Sequence, residues 1–215
     1  LSGPGGHRKQ LDLAAEQRKS GAIVIPQVSC RPLNFEFTFA EPFIFDVMKF
    51  MNELAVEEAK TPGTRRRAYA DPAWREKLRS KVTPLFRNWW DRVIIAWAPS
   101  ARELEEQPLA QAAARLGKDP VDLALDLALA NDLQARFRMA VMNFDEKEVA
   151  ELITDPNTII ALSDAGAHAS QLCDACYSTY LLGHWVRERK TFTIEQAVHN
   201  LTQRPAEMFG ITDRG

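Results

Sequence analysis

Three cysteines in 215 residues, Cys30, Cys173 and Cys176, are too few for a disulfide framework. That leaves a reducing, cytoplasmic setting as the expectation. No apolar run approaches the ~20 residues needed to cross a bilayer. The first residues, LSGPGGHRKQ, hold no methionine and no apolar leader region. The last, GITDRG, stop just past a helix-ending glycine, so both ends read as cut and a portion of a longer protein is expected. A formal charge of −2 provides no pull toward nucleic acid or anionic membrane. There is no internal repeat and no low-complexity tract.

What is present is ordinary globular material: 46% hydrophobic and 26% charged residues. Charge is unevenly spread. Residues 61–92 carry nine Lys/Arg against three Asp/Glu, and residues 100–164 carry six against thirteen, which predicts one basic and one acidic face. RKQLDLAAEQRKSG reads as a helix closed by Gly21, and AIVIPQVSC (residues 22–30) as a short buried strand. Residues 31–44, rich in proline and phenylalanine, read as an irregular connection. A helical middle follows, with Asp71-Pro72 and Asp119-Pro120 as start signals. Short strands are expected at RVIIAW and FRMAVM. Near the end, Asp155-Pro156-Asn157 forms a turn, Thr158 to Ser163 a buried strand, and TYLLGHWVRERK a helix. TIEQAVHNL then opens with a capping box, and RPAEMFG is a short helix stopped by Gly210.

The run TIIALSDAGAH (residues 158–168) sends a buried strand straight into Asp164. In α/β barrels, catalytic side chains gather at the carboxyl ends of the strands. A carboxylate there can bind a metal, take a proton from a metal-bound water and return it to a leaving group. Position alone also fits a helix cap or a turn former.

LSDAGAH, followed by YSTYLLGHWVRERKTFTIEQAVHNLTQRPAEMFGITDRG, resembles the C-terminal part of the amidohydrolase superfamily, nearest to its D-aminoacylase (N-acyl-D-amino-acid deacylase) branch. The shared features are a Ser-Asp pair ending a strand, an aromatic-x-Thr segment, a Gly-His-aromatic helix, the helix pair around EQAV and RPAEMFG, and DRG. ADPAWREKL and GKDPVDLALDLAL are similar more loosely. The resemblance implies an α/β fold, the end of a (β/α)8 TIM-like barrel. Residues 1–32 would give a barrel helix and the penultimate strand, 33–156 a mostly helical insertion, and 157–215 the last strand and closing helices. It further implies a hydrolase of carbon–nitrogen amide bonds that uses one or two zinc ions. Asp164 would be both metal ligand and general base, and a small-molecule amide the substrate. The remaining ligands of the family, a His-x-His among them, lie outside this sequence. The arginine that contacts the substrate carboxylate in that family is replaced here, because CDACYST stands in its place. Arg31, at the end of the penultimate strand, is the candidate to take over, and His168 is a second candidate substrate contact.

Competing readings are a cyclic-amide hydrolase of the dihydroorotase or hydantoinase type, and a non-catalytic scaffold. Cys173-Asp-Ala-Cys176 is a lone CxxC without a second pair and reads as a loop, not a zinc or redox site. Cys30 reads as a small core residue. His184 and His199 read as solvated or helix-packing. RRRAYADPAWREKLRSKVTPLFRNWW keeps helical apolar spacing, so its charges read as the solvated side of a helix and not as a nucleic-acid surface.

Overall fold

The computed structural model describes residues 5–45, 48–86, 90–161 and 175–215. The fold is α/β, in two compact units: Leu1–Asn34 together with Ala140–Gly215, and Phe35–Met139. Asp164, His168 and Cys173 lie outside the described residues.

The first unit opens with α1 (Gly6–Lys19), whose basic last turn ends at Gly21 with φ +90. Only glycine adopts that left-handed turn freely, which is why the helix stops there. The expected strand over residues 22–30 is shorter than its composition predicted. Only β1 (Gln27–Val28) pairs, and Ile23 is 91% exposed. Pro26 has no N–H for a ladder, yet its carbonyl accepts from Ile159 N at 3.0 Å, so pairing starts at the proline.

The second unit corrects the irregular connection. Leu33–Phe37 is a strand, β2, which the alternating Phe35, Phe37 and Phe39 should have signalled. Helices α2 (Lys49–Lys60), α3 (Thr64–Ala70) and α4 (Pro72–Phe86) follow, then β3 (Val93–Trp97), α5 (Leu109–Arg115), α6 (Pro120–Ala130) and β4 (Arg136–Met142). The two Asp-Pro starts behave as expected: Asp71 Oδ1 accepts from Ala73 N at 3.0 Å, and Asp119 Oδ1 from Val121 N at 2.8 Å. Pro84 does not end α4, which continues to Phe86. The sheet order is β2-β4-β3, with β3 and β4 antiparallel through Ile95↔Phe137 and Val93↔Met139. Its core is aromatic: Phe37 stacks on Phe137 at 5.6 Å, and Phe39 meets Tyr69 edge-on at 5.5 Å. Tyr69, fully buried, satisfies its hydroxyl by donating to Phe39 O at 3.1 Å.

The charge-biased segments do not simply form separate faces. Arg75 and Arg79 of the basic stretch reach Asp122 of the acidic one at 3.3 and 2.6 Å, and Arg75 also reaches Asp126 at 2.8 Å. Burial raises the Asp126 carboxyl, but Lys118 and Arg75 outweigh it and hold the group below its ordinary range.

Back in the first unit come α7 (Glu146–Thr154), capped by Asp145, and β5 (Ile159–Ile160). Asn157 N donates to Asp155 Oδ1 at 2.7 Å, which makes the Asp-Pro-Asn segment the expected turn. Then α8 (Tyr177–Tyr180) continues into a π-wound stretch, Leu181–Glu188, before α9 (Ile194–Leu201) and α10 (Gln203–Met208). The Thr193–Gln196 capping box forms, and Gly210, at φ +69, follows the last helix. Val28, Cys30, Val149, Ile153, Ile160, Leu181 and Trp185 make up this unit's core.

Candidate functional site

The centre of the candidate site is the β1–β5 pair. The two strands are parallel, with Gln27 opposite Ile159 and Val28 opposite Ile160, and Ala161 N donates to Val28 O at 3.0 Å. Thr158, Ile159 and Ile160 are buried. Two residues per strand is a short ladder, and helices supply most of its support, as parallel pairing requires. Trp185 packs into the core and donates its indole N–H to Cys30 O at 2.6 Å, which fixes the chain where β1 ends.

Residues 29–31 leave β1 into a polar cluster built by α8 and the helix after it. Cys30 is buried and donates its thiol to Tyr177 O at 3.2 Å; burial pushes that thiol up to about 11, so it stays neutral. This agrees with its reading as a core residue. Arg31 reaches the residue next to Tyr177. Its Nη1 donates to Cys176 Sγ at 2.6 Å, and its guanidinium lies 5.8 Å from the centre of the Tyr180 ring. Cys176 therefore partners an arginine across the fold and is exposed.

The Tyr180 ring in turn stacks on His184 at 4.8 Å. His184 is no solvated residue: its side chain is 14% exposed and both ring nitrogens face carboxylates, Glu188 Oε2 at 2.8 Å and Glu146 Oε1 at 3.0 Å. Arg189 joins Glu146 at 2.7 Å, and together with His184 it holds that carboxyl below its usual range. A similar contact ties α1 to α7, where His7 Nε2 meets Glu151 Oε2 at 2.7 Å. His199 lines two grooves of about 460 Å³ beside α9, with Glu195, and these share no residue with the Arg31 cluster.

Of the sequence candidates, then, Arg31 sits at the carboxyl end of β1 within a built polar cluster, while Asp164 and His168 fall outside the described residues. Tyr180, His184 and Glu188 were not singled out as functional. Their four-residue spacing, which puts them on one helix face, was the available signal. Among the described residues no three His, Cys, Asp or Glu side chains converge to hold a metal ion. The described part of this chain therefore does not by itself build a zinc site.

Comparison with known proteins agrees with the sequence resemblance. No protein-family model matches the chain. An N-acyl-D-glutamate deacylase of Alcaligenes xylosoxydans xylosoxydans is 34% identical over 128 residues, which is 58% of this chain and 24% of that protein. A D-aminoacylase of the same organism is 31% identical over 126 residues, again 58% and 24%. The resemblance to D-aminoacylases is borne out. The chain spans about a quarter of the length of these curated relatives. Among solved structures, the N-acyl-D-glutamate deacylase of Bordetella bronchiseptica, complexed with zinc and a phosphonate inhibitor, aligns over 98% of this chain and 34% of its own, at 24% identity and a TM-score of 0.46. A D-aminoacylase described as defining a novel subset of amidohydrolases aligns over 58% of this chain and 25% of its own, at 28% identity and a TM-score of 0.34.

Proposed function

We propose that this chain is the C-terminal part of a metal-dependent hydrolase that cleaves the amide bond of N-acyl amino acids. On this reading β1 and β5 are the last two strands of a (β/α)8 barrel. Residues 33–156 are the insertion between them, and the helices after residue 175 close the barrel. The observation that carries the reading is the parallel register. Val28 is opposite Ile160, Arg31 follows three residues after the first, and Asp164 follows four residues after the second. Both strands run the same way, so the carboxyl ends of β1 and β5 lie at one edge, and in barrels that edge keeps the chemistry.

In the complete protein, Asp164 is the general base. It takes the proton of the attacking water and returns it to the departing nitrogen. Asp164 is also one zinc ligand, with the others contributed from outside this sequence, and zinc when bound polarises the amide carbonyl. Arg31 pairs with the substrate carboxylate in the place of the missing family arginine; a guanidinium fork suits that group. His168 is a further substrate contact. The names of the relatives point to N-acyl-D-amino acids, with N-acyl-D-glutamate among them.

The test is hydrolysis by the complete, zinc-loaded protein offered N-acyl-D-glutamate, other N-acyl-D-amino acids, dihydroorotate and a hydantoin. Turnover of the acyl amino acids, abolished by a chelator, is the expected result. Turnover of the cyclic amides alone, or of none of the four, overturns the proposal.

A further inference from the structure

We propose that His184 is a positioning residue: held between Glu146 and Glu188, its ring fixes the Tyr180 ring on which the Arg31 guanidinium rests. The inference deepens the reading of Arg31 as the substrate-carboxylate contact and rests on it.

The argument begins with hydrogen-bond capacity. A neutral imidazole has one N–H and one acceptor nitrogen, whereas a carboxylate only accepts. His184 has a carboxylate on each side, at 2.8 and 3.0 Å, so both contacts exist at full strength only when both nitrogens carry protons. Other groups stand around the ring. Glu146 arrives from α7 and is shared with Arg189, Glu188 comes from the same helix, and Trp185 meets the imidazole edge-on at 5.2 Å. Among the described residues, Tyr180, stacked on the ring, can also lose a proton. Burial, and then the Glu146 charge, raise its phenol above the ordinary value, so it stays neutral while an imidazole titrates. The backbone adds a second observation. Arg189 N donates to His184 O at 2.8 Å, the five-residue step of a π turn, a winding that is rare and concentrated at functional sites.

Deprotonation of His184 removes one of the two carboxylate bonds and leaves Glu146 and Glu188 with a neutral neighbour. The ring is then free to turn, Tyr180 loses its stacking partner, and the platform under Arg31 loosens. Recognition of a substrate carboxylate thus depends on a proton held away from the reacting atoms.

NMR titration of the 215-residue chain tests this, following the His184 ring, the Tyr180 ring and the Arg31 Nε–H. All three are expected to move with one shared midpoint. His184→Asn should abolish the response of Tyr180 and Arg31. His184→Arg, a permanent planar cation, should hold both at their low-pH positions throughout. Glu188→Gln keeps the imidazole but removes one of its two carboxylates, should weaken the coupled response of Tyr180 and Arg31, and serves if His184→Asn fails to fold. Arg31 and Tyr180 signals that do not respond with the His184 ring, or that show the same pH response in His184→Asn, overturn the proposal. The substrate role fails separately: an Arg31→Gln complete protein that turns over N-acyl-D-glutamate normally refutes that role, and the NMR coupling stands or falls without it.

Discussion

The unit formed by Phe35–Met139 and the unit around β1 and β5 are held together by different chemistry. The first rests on stacked aromatic rings and on arginine–aspartate pairs between α4 and α6, within a three-stranded sheet. The second has a ladder of two residues per strand among the described residues, beside which Arg31, Cys176, Tyr180, His184 and Glu146 form a connected polar cluster. A cluster of that kind is a poor way to gain stability, because each polar group must be desolvated and fully paired before it contributes. The difference is between a unit held by rings and ion pairs and one whose described polar groups gather at the end of a short ladder.

The largest expected effect comes from the chain's isolation. With no three converging ligands among the described residues, the purified 215-residue chain should not hydrolyse any N-acyl amino acid, with or without added zinc. Chelator-sensitive hydrolysis by this chain alone would mean that its ligand set is complete and has been misread.

Core truncations come next. Phe137→Ala should destabilise the Phe35–Met139 unit by about 3–5 kcal/mol, the usual cost of emptying a buried aromatic site. Trp185→Ala should cost the other unit a similar amount, about 3–5 kcal/mol. It should also free the Cys30 carbonyl, which the indole now occupies. Denaturant melts followed by hydrogen exchange separate the two, and loss of protection confined to the mutated unit is the expected pattern. Protection lost equally in both units would erase the distinction drawn between them.

A smaller change is expected at His168, where replacement by alanine should reduce turnover of the complete protein about tenfold if the histidine supports the site from a neighbouring position. Thiol chemistry sharpens the comparison at the end of β1. Cys30 stays protonated up to about 11 and is buried, so iodoacetamide at mildly alkaline pH should modify exposed Cys176 and spare Cys30. Peptide mass mapping reads the outcome directly.

The mildest effect is on acid stability. Glu151, through His7, and Glu146, through Arg189, both titrate below the ordinary carboxylate range. Groups lowered in the folded state contribute stability that is present above their unfolded value, about 4.3 for glutamate, and that is lost as pH falls through the folded value. Acidification below that range should therefore loosen α7, and amide exchange of α7 should be faster at pH 3 than at pH 6 after correction for intrinsic rates. Unchanged α7 protection would mean the contacts are too solvated to count.

Much of this was legible in the sequence because it is local. The Asp-Pro helix starts, the Thr193–Gln196 capping box, the Asp155 turn and the glycine stops at 21 and 210 each depend on a few adjacent residues, and each is present. What was misjudged depends on contacts across the chain. Residues 31–44 seemed irregular because Pro32 and a run of phenylalanines obscured an alternation, and Leu33–Phe37 becomes a strand only by pairing with a segment about a hundred residues later. His184 was read as solvated or helix-packing, and the approach of Glu146, 38 positions away, decides for helix packing and gives it a second carboxylate. Asp164 was singled out from the apolar run before it and from the motifs around it, and it lies outside the described residues.

The central claim is that Asp164 does chemistry, and its change to asparagine tests this most directly. The substitution keeps the shape and an oxygen that can still cap a helix, since asparagine caps about as well as aspartate. It removes the charge and the capacity to accept a proton. Measured in the complete, zinc-loaded protein with an N-acyl-D-amino acid, kcat should fall by roughly three orders of magnitude while the melting temperature barely moves. Near-wild-type turnover by Asp164→Asn would contradict the account and leave this aspartate a structural residue.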